Sequence, residues 1–330
     1  MCFLNIICAD PFYLRYYQKE YDDFLPKLTP RVQKSLRNLR RIIKDENKSI
    51  ISAFLCLYFS ATTDESIIEM INTIKNPREM QKNLQKTPYY EEKDWQMFES
   101  LREDLEIILQ FLISVDFYAD WQDYILPKIQ QKIDVFTEVI TKYNVILEDE
   151  LVLGYSLPSN EITVYVLNFS KPHGIKITDT RFLTYYNWPF TIVIRNAIHE
   201  MLHPPFDLER DLELRGVLET LKSDEFIMDK VVNHNPAFGY NTFEGYIEED
   251  CVQALEQIAS EKLNIEKDPH KGWKEKDDGM HVFAVALYKC MKEENYNHKG
   301  EIFRDFLVRK IKSGVLKAGK IKEIYDEFYQ

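Results

Sequence analysis

Apolar positions recur at helical spacing over most of the first 143 residues. Pro30 opens a helix through Ile43, and Thr63 or Asp64 caps a helix carrying Ile67, Ile68, Ile71 and Ile74 that Asn76-Pro77 ends. Trp95, Phe98, Leu101, Leu105, Ile108, Leu109 and Leu112 keep an i, i+3/i+4 stripe over one long helix, and Ile125, Ile129, Ile133, Phe136 and Ile140 do so over the next. These stripes read as core. The basic run Arg37, Arg40, Arg41, Lys44 reads as a solvated helix face.

The pattern changes near residue 144. Val145 to Leu153, Glu161 to Asn168 and Gly174 to Thr178 read as β-strands, with Arg181 to Tyr186 as a further one and Leu157-Pro-Ser-Asn160 as turn material. After Pro205 the helical period returns, over Asp207 to Leu221, Ser223 to Val232, Asn241 to Leu263, Gly279 to Glu293, His298 to Ser313 and Ile321 to Phe328. The expected fold is α+β and mainly α. It has a helical N-terminal region (1–143), a small antiparallel β subdomain (144–187) and a helical third part (188–330).

Composition narrows the class. The chain has 330 residues, 45% hydrophobic and 13% aromatic, which suits a large folded core. A net charge of −12 argues against nucleic acid as the main partner, because phosphate binding requires a basic surface. Five cysteines, with no C-x-x-C pair, point to free thiols in a reducing cytoplasm; secretion stays open if a leader preceded residue 1. No apolar run approaches the roughly 18 residues needed to span a membrane.

One stretch carries chemistry. Trp188 to His203 contains His199-Glu-Met-Leu-His203, an H-E-x-x-H pattern. Random placement would give it roughly 0.02 times in a chain of this composition. Residues four apart on a helix lie about 40° apart around its axis, so both imidazoles reach one ion from the same face. Glu200, about 100° from His199, stands beside the ligands where a general base belongs. Pro189 suits the first turn of the helix, and Pro204-Pro205 ends it.

Short strands leading into an H-E-x-x-H helix resemble the zincin metallopeptidases. The resemblance covers about residues 160–260. It implies a Zn²⁺ cofactor held by His199 and His203, Glu200 as general base, a peptide or protein substrate, and a cleft lined by an edge strand, for which Gly174 to Thr178 is the candidate. The metzincin pattern fails, because Pro204-Pro-Phe-Asp207 stands where a third histidine motif would begin. The gluzincin branch takes a glutamate from a later helix. Asn241 to Leu255 resembles that helix, with Glu249 as ligand and Gln253 as the polar residue four on. The helical wheel places Glu248 nearer the buried face, so it competes, and Glu225 is a third choice.

A zinc hydrolase of this kind also needs an oxyanion donor. Tyr240 and His281 are the candidates, with His234 behind them. The competing reading is a catalytically inactive metal-binding or interaction protein on the same fold.

Overall fold

The computed structural model describes residues 1–235, 238–266, 268–296 and 301–330. It is mainly helical, with one small sheet, as an α+β chain dominated by helix should be. The chain divides into two compact units, Met1–Ile140 with Thr163–Trp188, and Thr141–Ile162 with Pro189–Gln330.

The first unit contains α1 (Cys2–Ile7), α2 (Pro11–Phe24), α3 (Pro30–Arg40), α4 (Ile51–Ser60), α5 (Ile67–Lys75), α6 (Arg78–Leu84), α7 (Glu92–Ser114), α8 (Phe117–Tyr124) and α9 (Leu126–Ile140). The stripe on α7 is core, as its period requires: Phe98, Leu101, Leu105 and Ile108 have no exposed surface. Capping chemistry sets the starts. Thr29 accepts from the Val32 amide ahead of Pro30. The cap of α5 is Ser66, not Thr63 or Asp64, because Ser66 and Glu69 form a reciprocal capping box. The basic run, which spans the end of α3 and the π-helical turn after it (Arg41–Glu46), is only partly solvated. Arg40 donates to the Ala9 carbonyl, and Lys44 pairs with the buried Asp10 carboxylate.

Three strands belong to this unit, β1 (Thr163–Leu167), β2 (Ile175–Lys176) and β3 (Arg181–Tyr185), in the order β1-β3-β2. The expected antiparallel sheet is mixed. β2 pairs antiparallel with β3, but β1 runs parallel to β3, with Thr163 opposite Arg181 and Leu167 opposite Tyr185. The reason is the connection: from β1 the chain first reaches β2, on the far side of the sheet, and then turns back, so that β3 enters between the two, antiparallel to β2 and parallel to β1. Of the candidate edge, Gly174 to Thr178, only Ile175–Lys176 forms an edge strand. The far end of the stretch is tied down, with the Thr178 amide on the Ser60 hydroxyl.

The second unit contains α10 (Val145–Leu153), α11 (Phe190–Leu202), α12 (Leu212–Glu219), α13 (Glu225–Asn233), α14 (Phe243–Lys262), α15 (Pro269–Glu275), α16 (Val282–Glu293), α17 (Phe303–Lys312) and α18 (Ile321–Phe328). The expected helix start at His298 lies outside the described residues. Residues 145–153 are a helix rather than a strand. Asn144 caps it by accepting from the Leu147 amide, and Gly154 ends it at φ +78°. A β-carbon on Gly154 would lie 2.7 Å from the Ile302 α-carbon, so the position admits only glycine. Helix α10 packs on α11 and α14. Residues 144–187 are therefore no unit of their own, since the helix joins one unit and the strands the other.

Helix α14 is the axis of the second unit, packed by α10, α11 and α16. It is buried nearly all round, although Glu249, Asp250, Gln253, Glu256 and Gln257 lie along its buried length. Burying a carboxylate without a partner is costly, so each must be paired. Where those partners come from defines the candidate site. No helix among the described residues is long and apolar enough to cross a membrane.

Candidate metal centre

Helix α11 starts after Pro189 and ends at Leu202, with His203 in extended conformation just beyond. Val193, Ile194, Ala197, Ile198, Met201 and Leu202 form its buried face. Arg195 and His199, four residues apart, lie on another face.

The two histidines and Glu249 converge. Nε2 of His199 and Nε2 of His203 are 3.2 Å apart, and Oε2 of Glu249 lies 3.7 Å from the first and 3.3 Å from the second. Zinc bonds to nitrogen and oxygen of about 2.0–2.1 Å in a tetrahedron put ligand atoms about 3.3–3.4 Å apart. The three atoms thus have the spacing of three corners of such a site. Oε2 of Glu249 is also buried without a hydrogen-bond partner, an orphaned anionic acceptor that a cation would satisfy. The donor set, two imidazoles and one carboxylate, suits Zn²⁺ with a coordination position left over. Among the described residues this is the one cluster of such ligand types with metal-site spacing.

A second layer fixes the first. The outer nitrogen of His199, Nδ1, lies 3.0 Å from Oε2 of Glu256, whose other oxygen accepts from Arg195 at 2.7 Å. Arg195 also pairs with Glu266 at 3.3 Å. Nδ1 of His203 lies 3.2 Å from Oε1 of Glu248. Gln253 donates to Oε1 of Glu249 at 2.6 Å and accepts from Lys276 at 2.9 Å, which leaves Oε2 of Glu249 toward the histidines. Both imidazoles thus turn Nε2 inward and Nδ1 toward a carboxylate, the usual support for a metal-ligating histidine.

This geometry separates the three glutamates. Glu249 is in the ligand position. Glu248 meets the outer nitrogen of His203 and is not beside the other two ligand atoms. Glu225 is exposed at the start of α13 and takes no part. The buried acid there is Asp224, which caps α13 through the Ile227 amide.

The charges reinforce the arrangement. Burial alone would depress the His203 imidazole, but Glu248 and Glu249 outweigh it and push its pKa up to about 10. Burial would raise Glu249, but His199 and His203 hold it well below the usual carboxylate range. Glu256 is likewise held low against its burial, chiefly by Arg195. The pocket binds positive charge, whether a proton or a metal ion.

Of the expected auxiliary residues, Tyr240 is brought in. It sits at φ +58° after Gly239 at φ +88°. Burial first, then the charge of Glu249, push its phenol well above the ordinary value, so it stays protonated. Glu200 is buried at 7% exposure, and its charge also acts on Tyr240.

His281 is not available as an oxyanion donor. Its Nδ1 lies 2.7 Å from Asp250 and its Nε2 3.1 Å from Asp277, so both N–H groups are taken. Its role is structural. Asp250 also accepts from the Phe283 and Ala284 amides and thereby caps α16. His234 is similarly engaged, with its ring nitrogens on the carbonyls of Lys230 and Gly239.

His281 supplies a test of stability. Burial lowers its affinity for a proton, but Asp250 and Asp277 outweigh burial and raise its pKa to about 9. A raised histidine contributes stability that is complete below its unfolded value of about 6.5 and lost as pH rises through about 9. Replacing His281 with Gln is expected to cost about 2–4 kcal/mol near pH 6. In thermal denaturation across pH 6–10, the gap between wild type and variant should narrow above pH 9; a gap independent of pH contradicts the assignment.

Glu256 and Arg195 were not identified from the sequence. Their signals are spacing: Arg195 stands four before His199, and Glu256 seven after Glu249 on the same face of α14. Glu256→Gln should weaken zinc binding by roughly 10–100-fold, measured by competition with a chromogenic chelator. Unchanged affinity would mean that Glu256 only pairs with Arg195.

No family model, curated protein or solved structure matches the chain.

Proposed function

We propose that this chain is a zinc-dependent metallopeptidase, hydrolysing peptide bonds with Glu200 as general base. The observation that carries the reading is the convergence of His199 Nε2, His203 Nε2 and Glu249 Oε2, with Glu200 next to a ligand on the same helix. Held by these three residues, Zn²⁺ supplies a Lewis acid that polarises a carbonyl and acidifies water.

The protein's own groups do the rest. Glu200 takes a proton from the attacking water and passes it to the leaving amine. Tyr240, kept protonated by burial and by Glu249, donates to the oxygen on which negative charge develops. Glu256 and Glu248 hold the two imidazoles in one tautomer, and Gln253, steadied by Lys276, fixes the carboxylate rotamer of Glu249. A buried glutamate directly after a ligand in the sequence, on the same helix, supports a hydrolytic role over metal storage.

The test is a mixture of unstructured peptides incubated with zinc-loaded protein, with new amino termini read by mass spectrometry. Cleavage that stops on chelation and returns with zinc supports the reading. Zinc-loaded protein that cleaves nothing in a diverse mixture contradicts it, and leaves the metal-binding, non-hydrolytic alternative.

A further inference from the structure

The first unit contains a cleft whose chemistry the metal centre does not use. Two short stripes border it. Glu20, Asp23 and Phe24 lie on α2, followed by Lys27 in the 3-10 turn that continues it, with spacing i, i+3, i+4, i+7. Phe117, Asp120, Trp121 and Tyr124 repeat that spacing on α8. Positions so spaced share one helix face, so each element turns both aromatic rings and carboxylates toward the cleft. Its volume is 360 Å³, within the range of small-ligand sites.

The floor is aromatic and well supported. Phe3 packs edge-on against Phe24 at 5.0 Å and stacks on Phe117 at 4.7 Å. Trp121 is half-buried, and Tyr124 is 69% exposed at the mouth. An exposed aromatic stripe usually means missing apolar cover, but three carboxylates here face one ammonium. Glu20 and Asp23 have no ion-pair or hydrogen-bond partner among the described residues. An apolar ligand would desolvate these acids without recompense, and an anion would be repelled. The acids do not converge as metal ligands do, since the His199, His203, Glu249 group alone meets that spacing among the described residues.

The chain already shows what the cleft accepts. The Lys27 ammonium sits 5.6 Å from the centre of the Phe24 ring and 3.6 Å from Asp120. One cation is thus held by one ring face and one carboxylate, and a bound cation competes with it for both while also meeting Trp121 and Glu20. We propose that this cleft binds a small organic cation, an ammonium or guanidinium carrying apolar carbon. Its charge lies over the rings of Trp121 and Phe24, and Asp120 and Glu20 neutralise it.

The probe is choline, titrated calorimetrically into the full chain beside 3,3-dimethylbutan-1-ol, which has carbon in place of the quaternary nitrogen. Saturable choline binding is expected, with the alcohol at least about tenfold weaker. Trp121→Leu and Asp120→Asn should each weaken choline by about fivefold or more, and Lys27→Ala should strengthen it, because the resident ammonium no longer competes. If circular dichroism shows either weakening variant misfolded, Glu20→Gln, at a partner-free carboxylate, repeats the test and should also weaken binding. Equal affinity for the alcohol, choline binding unchanged in the folded variants, or no saturable binding would each overturn the proposal. So would binding of a peptide bearing trimethyllysine without binding of choline, which would make the occupant a protein side chain.

Discussion

Glu200→Gln is expected to leave zinc content at wild-type level and to lower peptide hydrolysis by at least about 10³-fold, within the range for loss of a general base. The substitution preserves shape and removes only the ability to take a proton. Glu200 is adjacent to His199 in sequence, but the three converging ligand atoms belong to His199, His203 and Glu249, so metal binding does not depend on it. Because Glu200 is buried, its loss should not be replaced by a solvent-exposed acid swinging in. The measurement pairs elemental analysis with a rate on any cleaved peptide. Hydrolysis within tenfold of wild type would place the base elsewhere; zinc lost along with activity would make Glu200 part of the metal site.

The second large effect separates three glutamates that look alike in the sequence. Glu249→Ala should abolish stoichiometric zinc, as should His203→Ala, because each removes one of only three protein ligands. Glu248→Ala removes an outer partner of His203 and should cost roughly 10–100-fold in zinc affinity. Glu225→Ala, on an exposed helix start, should change nothing measurable. Zinc affinity by chelator competition, with circular dichroism to confirm folding, reads this order. If Glu248→Ala lost as much as Glu249→Ala, the separation of ligand from support would be wrong.

How far these roles are legible in the sequence follows from what kind of interaction sets them. Local features could be read directly. The α7 stripe and the H-E-x-x-H helix bounded by Pro189 and Pro204 depend on a few consecutive residues, and both stand as expected. Val145 to Leu153 is apolar at both ends and so reads as a strand, whereas the Asn144 cap and the Gly154 stop are the signals that make it helix α10. The mixed sheet depends on the path of a connection, which alternation along single strands does not encode.

The same distinction holds at the candidate site. His199 and His203 belong to one turn, so their spacing shows them to be a pair. Glu249 and Glu248 are neighbours, and the helical wheel sets Glu248 nearer the buried face, whereas Glu249 is the buried one and Glu248 is half-buried, because partners pack on α14 from more than one side. What distinguishes them is which imidazole nitrogen each faces, a tertiary property that arises only when α14 packs on α11. His281 shows the converse. A histidine opening a helix near the motif looked available as a donor, and only the positions of Asp250 and Asp277 show both its nitrogens taken.

The central claim is that His199, His203 and Glu249 hold one zinc ion. Its most direct test is anomalous diffraction at the zinc edge from crystals of the zinc-loaded protein. The account predicts one strong peak per chain, about 2.0–2.2 Å from His199 Nε2, His203 Nε2 and a Glu249 oxygen, with Glu248 and Glu256 on the outer nitrogens of the histidines. No peak at these residues, or a peak that Glu248 reaches and Glu249 does not, would contradict it.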